Sequence, residues 1–254
     1  MRALAGELLL QAWERGASVP EPRRSLALLA VALPDRDALE LADAPVTERD
    51  RLLLRLHQLS FGSELSAIAA CSGCSAQLEL AVPVTELVAL TDGDEGDERD
   101  GLSWTEAGRR FEMRLATTTD LLASLEPAEL EDAQELLLSR CVTVDPPLDV
   151  ERLSQAPTAL ERFERLSQAP TVLERFERLN AAAELRCGVT CPECAHSEVV
   201  DLDIGRFLWT EVRRAASRLL REIHTLAAGY GWSEPSILAM SAQRRAAYLE
   251  LVAP

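Results

Sequence analysis

The sequence contains no lysine; all 26 of its basic residues are arginine. A Schiff-base amine and the lysine of a phosphate-binding loop are therefore both excluded. Histidine is scarce too, with three residues and no His-Glu-x-x-His arrangement. Aromatic residues are only 4% of the chain, a balance that suits helix packing by Leu and Ala more than a β-sandwich or barrel. Positive charge is in deficit as well: the formal net charge is -16, the wrong sign for a protein built to grip phosphate backbones. No apolar run is longer than the eight residues Leu26–Leu33, far short of the ~20 needed to cross a bilayer. That run is expected as a buried helix or strand. Glu7 and Gln11 break the apolar start before a signal-peptide core can form. No Gly-x-Ser-x-Gly elbow, phosphate-cradling glycine loop or dinucleotide fingerprint occurs.

What is present is a chain of 254 residues, 47% of them hydrophobic, enough for a substantial core. Leu4, Leu8 and Trp13 predict a helix over Ala3–Glu14, closed by Gly16. Thr47, with Asp50 three positions on, predicts a helix start running through Leu59, with His57 as a surface residue near its end. Ser66–Val84 reads as a hairpin with cysteines at its tip, because Gln77 to Leu80 alternate with period two. Asp92–Asp100 holds six acids against one Arg and is expected to be a solvated loop. Leu102 and Trp104, the Gly108 turn, then Phe111, Met113 and Leu115 predict a further hairpin. Thr119 or Asp120 is expected to cap the next helix, and another spans about Ala128 to Cys141. A long amphipathic helix carries Leu208, Val212, Ala215, Leu219, Ile223 and Leu226 on one face, with Gly229 as its stop. Ser233 and Ser241 are placed to cap two short helices beyond it.

Residues Arg152–Glu164 recur as Arg165–Glu177 with a single change, Ala159 to Val172. Two copies are too few for a solenoid, so the pair is expected to be a tolerated surface insertion.

The chemistry lies in the cysteines. Without a secretory signal, all six are expected in a reducing cytoplasm, where thiolates bind metal more readily than they pair. Cys71-Ser72-Gly73-Cys74 and Cys191-Pro192-Glu193-Cys194 are two turns of the kind that aims two thiolates at one point, each flanked by strand-like segments. Together Cys71, Cys74, Cys191 and Cys194 offer the closed tetrahedral sulfur shell of a structural zinc site. The 116 residues between Cys74 and Cys191 exceed usual ribbon spacing. Redox dithiols, or unrelated small core residues, are the competing readings. Cys187 and His196 flank the second pair as substitute ligands, and Cys141 reads as a buried thiol.

Cys191–Val252, CPECAHSEVVDLDIGRFLWTEVRRAASRLLREIHTLAAGYGWSEPSILAMSAQRRAAYLELV, resembles a family found beside phage-like contractile tail genes. ERDRLLLRLHQLSFGSEL, CSGCSAQLEL and LLLSRCV (residues 136–142) resemble that family's earlier parts. The family is similar to baseplate and baseplate-hub assembly proteins of contractile-tailed phages and extracellular contractile injection systems. The resemblance implies a structural or assembly role without catalysis, with other baseplate or hub proteins as partners, and incorporation into such a particle. Two departures stand out: Ser72 occupies a position where the family pattern has proline, and the tandem repeat is extra.

The expected fold is α+β and predominantly helical, a split zinc ribbon with a large insertion and helical arms at both ends. Residues 1–60 form an N-terminal helical segment, 61–90 the first ribbon half, and 91–145 the acidic loop with a hairpin and helices. Residues 146–182 form the helical insertion with its repeat, 183–205 the second ribbon half, and 206–254 a C-terminal arm. The Tyr230-Gly231-Trp232 turn and Trp209 either contact partners or staple the tail helices together. The alternative function is a zinc-ribbon nucleic-acid adaptor, since the tail bears Arg214, Arg218 and Arg221. Glu211 and Glu222 on that helix suit intrahelical pairing instead. A metal-dependent hydrolase needs an exchangeable water on the ion and a nearby base, and no such constellation is visible. No small-molecule substrate and no membrane partner are expected.

Overall fold

The structure is a computed structural model that describes residues 1–91, 102–106, 108–127, 129–145 and 172–252. The acidic run Asp92–Asp100 and the first repeat copy lie outside the described residues. Helices dominate: α1 (Gly6–Ala17), α2 (Arg23–Ala32), α3 (Ala38–Asp43), α4 (Val46–Phe61), α5 (Val84–Thr91), α6 (Thr118–Ser124), α7 (Leu130–Cys141), α8 (Val172–Asn180), α9 (Ile204–Tyr230), α10 (Glu234–Leu238) and α11 (Ala242–Val252). The strands are β1 (Glu64–Ala70), β2 (Gln77–Pro83), β3 (Leu102–Glu106), β4 (Arg109–Met113), β5 (Val142–Asp145), β6 (Arg186–Thr190) and β7 (Ser197–Asp201). They form three small antiparallel sheets, β1-β2, β3-β4-β5 and β6-β7. The chain is thus α+β and mainly helical, as expected.

The spine is α9. Asp203 Oδ1 accepts from the Arg206 backbone N–H at 3.0 Å and caps its start. Leu208, Val212, Ala215, Leu219, Ile223 and Leu226 are all buried, each large apolar side chain contributing roughly 1.5–3 kcal/mol. The helix ends at Tyr230 because Gly231 adopts a left-handed conformation with φ 69°, which Gly alone enters without cost. Gly229, the expected stop, lies within the last turn. Leu28 and Leu29 of α2, Leu53 and Leu54 of α4, and Leu87 of α5 complete the main core with α1 and α9. The run Leu26–Leu33 is thereby resolved as helix through Ala32, with Leu33 as its cap.

Gly16 does not end α1. It lies inside the helix, where a Cβ would stand 2.6 Å from the Trp209 ring, so its function is close approach of α1 to α9. Trp209 is also covered by the Arg24 guanidinium, 4.8 Å from the ring centroid, and so is an internal contact. Helix α4 begins after Pro45, and Thr47 makes no cap. His57 is not at the surface. It is 2% exposed, with Phe61 and Phe207 rings centred 5.7 and 5.6 Å away, because the end of α4 packs under the start of α9. In the tail, Trp232 stacks on Tyr230 at 4.4 Å and meets Tyr248 edge-on at 4.8 Å, which favours the staple reading of these aromatics.

A second core forms around Phe111 and Met113 of β4, Leu138 of α7 and Val142 of β5. Strand β5 was not visible in the sequence pattern; it adds Val142–Asp145 to the hairpin's open edge. Thr117, two or three residues earlier than expected, caps α6 in a reciprocal box with Asp120. Asp120 is 1% exposed and takes bidentate bonds from Arg114 at 2.6 and 3.0 Å and one from Arg140 at 2.9 Å. The last residues of the second repeat copy belong to α8, and Val172 (1% exposed), Phe176 and Leu179 are buried in this same core. That half-repeat is therefore structural and not the surface insertion expected for it.

Candidate metal centre

The two Cys-x-x-Cys turns are built alike. At the first, the Cys71 N–H donates to Ala76 O at 2.9 Å and the Ser75 N–H to Cys71 O at 2.8 Å. At the second, the Cys191 N–H donates to His196 O at 2.8 Å and the Ala195 N–H to Cys191 O at 2.9 Å. Ser75 and Ala195, the residues after each pair, take φ values of 61° and 57°, a left-handed conformation that costs a non-glycine residue roughly 1 kcal/mol. The same turn, strained at the same place, thus occurs at two sites far apart in the chain.

The turns face each other. Cys71 Sγ lies 3.7 Å from Cys194 Sγ, and Cys74 Sγ lies 3.7 Å from Cys191 Sγ. All four sulfur atoms fall within 4.8 Å of one another. A disulfide needs about 2.05 Å, and all six cysteines are free. Four sulfurs held tetrahedrally at about 2.3 Å from one ion are separated by about 3.8 Å, close to the spacing seen. The donor set and its geometry fit one tetrahedral metal ion. Cys71 and Cys191 are buried while Cys74 and Cys194 are exposed, so such an ion sits at the edge of the fold.

The thiols differ in charge preference. Backbone N–H groups of Cys194 and Glu193 hold Cys191 down to about 7. Cys74 receives the Ala76 N–H, yet Cys194, desolvation, and the Cys191 and Cys71 thiols push it up to about 12. Four thiolates this close repel one another, and a bound cation reverses that repulsion.

Apolar packing here is slight. Only Cys71, Leu78 and Cys191 are buried in this cluster, with Ala76, Leu80 and Val189 against them. The hairpins share no strand ladder. What joins them besides sulfur is a polar clasp. Ser72 donates its backbone N–H to Glu198 Oε1 at 3.4 Å and its hydroxyl to Oε2 at 2.8 Å, and His196 Nε2 lies 3.0 Å from the same hydroxyl. Proline at position 72 would have neither donor. The departure noted in the sequence is therefore the residue that bridges the two turns, and the clasp itself could not be read from spacing, because Ser72 and Glu198 are 126 positions apart.

Of the other candidates, His196 belongs to this clasp and not to the sulfur cluster. Cys187 is half-buried against the main core, and burial raises its thiol pKa. Cys141 is buried beside Asp120, and desolvation together with that carboxylate pushes its thiol up to about 12, far from a reactive thiolate.

Fold and site together define a helical α+β protein in which two Cys-x-x-Cys hairpins converge on a four-thiol cluster. No family model matches the chain, and neither a known protein nor a solved structure matches it. Among the described residues, no helix is long and apolar enough to cross a membrane.

Proposed function

We propose that the four cysteines hold one structural zinc ion and that the chain is a non-catalytic structural or assembly component of a phage-like contractile tail or injection-system baseplate. The observation that carries the metal reading is the sulfur array, formed by cysteines 117 and 123 positions apart. An all-sulfur tetrahedral shell suits zinc and leaves no open position for a catalytic water. Zinc supplies cohesion that the small apolar cluster lacks: a structural zinc is worth an apparent ~10–16 kcal/mol. The baseplate reading rests on the resemblance of Cys191–Val252 and the upstream segments, and an all-thiolate staple between helical arms supports a scaffold more than an enzyme. Zinc here makes the molecule a split ribbon.

Affinity purification of the full chain from cells expressing the contractile particle tests the role. Recovery of baseplate or hub proteins is expected. Sheathed particles of normal number and shape after deletion of the gene would overturn it.

The nucleic-acid adaptor remains the second reading, favoured by exposed arginines on α9. The net charge of -16 weighs against it. Salt-sensitive retardation of DNA or RNA in a mobility-shift assay is its signature.

A further inference from the structure

Arginine is unevenly spent in this chain. The acids number 42 and the arginines 26. Several arginines of the body are paired, Arg49 with Asp50, Arg114 and Arg140 with Asp120, and Arg245 with Glu222, while the exposed Arg15, Arg23, Arg55 and Arg178 stand scattered on separate elements. The last pair joins α11 to α9, so Glu222 does not pair within its own helix as the spacing suggested. On α9 arginines gather on one face. Arg206, Arg213, Arg214, Arg218 and Arg221 are all exposed, and at 100° per residue they fall within an arc of about 140° opposite the buried face. Arg214 pairs with Glu211 at 3.1 Å. The other four have no ion-pair partner among the described residues. With acids in such excess, four unpaired guanidiniums on one helix face mark a surface whose partner is elsewhere. Leu220, 37% exposed, lies about 20° outside the edge of that arc and adds apolar contact beside it.

A complementary surface exists on the same chain. Glu7 and Glu14 are exposed on α1, and with Glu234 at the start of α10 they edge a groove floored by Leu10 and Leu238. None of the three acids has an arginine partner among the described residues. Glu7 and Glu14 are seven positions apart, as are Arg206 and Arg213, and Arg214 and Arg221. On helices that spacing is about 10.5 Å in each case, so two carboxylates match two guanidiniums when the helices lie side by side. Helix α1 meets α9 through Gly16 and Trp209, off the arginine arc, and the two charged faces make no bond to each other within one copy.

We propose that the arginine face of α9 docks on the Glu7–Glu14–Glu234 groove of a second copy, joining chains head to tail. Such a contact is heterologous, so it closes into a ring or continues as a filament according to the rotation between copies. A long polyanion fits the face less well. Its charge would extend past the arc onto an acidic surface, whereas the glutamate groove is as local as the stripe. The proposal is independent of what the thiols bind.

Sedimentation velocity of the full-length protein over a range of concentrations tests it. Association is expected in about 20 mM salt and is lost by about 0.5 M, where the Debye length is only about 4 Å. Arg213→Glu with Arg221→Glu, and separately Glu7→Arg with Glu14→Arg, should each weaken association at least tenfold while melting temperatures stay unchanged. Mixing these two variants should restore it, because each retains the face that the other needs. A protein that stays monomeric in low salt, association that survives either double variant, or a mixture that fails to associate would each overturn the proposal. Tighter binding of a short duplex DNA than of a second copy, abolished by Arg213→Glu with Arg221→Glu, would assign the face to nucleic acid and overturn it too.

Discussion

Deleting either repeat copy leaves chains that differ at one residue. Removal of Arg152–Glu164 keeps Val172 in α8, whereas removal of Arg165–Glu177 joins the first copy to Arg178 and places an alanine there. Val172 is 1% exposed in the core that holds Phe111 and Leu138. Alanine removes two buried methyl groups, worth about 1.6 kcal/mol at roughly 0.8 each, and the cavity term raises the cost to about 2 kcal/mol. For a chain of this size that lowers the melting temperature by about 4–8 °C. Circular dichroism melts of the two deletion proteins, made side by side, read the difference directly. Both are expected to be soluble and helical, with the alanine form the less stable. Equal melting temperatures would show that position 172 is not in the core, and loss of soluble protein on both deletions would show that the second 13-residue unit is no spare copy.

Other outcomes follow from the same contacts. Ser72→Ala and Glu198→Gln should each weaken metal binding about tenfold in a chelator competition, since partners of this kind orient ligands; unchanged affinity would reduce the clasp to surface decoration. His57 is held below its usual pKa chiefly by burial, against the pull of Glu211 and the Gly62 backbone. Its folded pKa is depressed, so the stabilisation is full above about pH 6.5 and is lost as pH falls through the folded value. Denaturant titrations should therefore show wild-type protein losing more stability between pH 7.5 and pH 5.5 than His57→Phe, and equal losses would contradict the burial argument. Asp120→Asn removes the buried carboxylate that Arg114 and Arg140 share and, since both arginines stay partly solvated, should cost about 2 kcal/mol in urea unfolding; a cost below about 0.5 kcal/mol would mean that the triad is solvated like a surface pair.

Legibility in the sequence followed the range of the interaction. The buried stripe of α9 was readable because its period of 3.6 persists from Leu208 to Leu226, and both cysteine hairpins because their strands alternate beside a turn of fixed chemistry. The sulfur cluster follows from two local turns, each complete in four residues. What failed to show depends on partners far along the chain. His57 reads as a surface residue from its polarity and its place near the helix end, although it stands four positions after the buried Leu53, and Phe207 covers it. Gly16 looks like a helix stop until Trp209 needs the space. Strand β5 has four residues and exists only because β4 offers an edge, and Val172 gains its meaning from a core supplied by β4 and α7. The starts of α4 and α6 were misread by two or three residues because Pro45 and Thr117, and not the polar residues after them, set the first turn.

Metal content of the reduced, freshly purified full-length protein, measured together with the absorption spectrum of its cobalt-substituted form, addresses the central claim most directly. One equivalent of zinc per chain is expected, with an all-thiolate cobalt spectrum that disappears in a Cys71→Ser, Cys194→Ser double variant. Protein that carries no stoichiometric metal and whose four thiols react freely with a thiol reagent would contradict it.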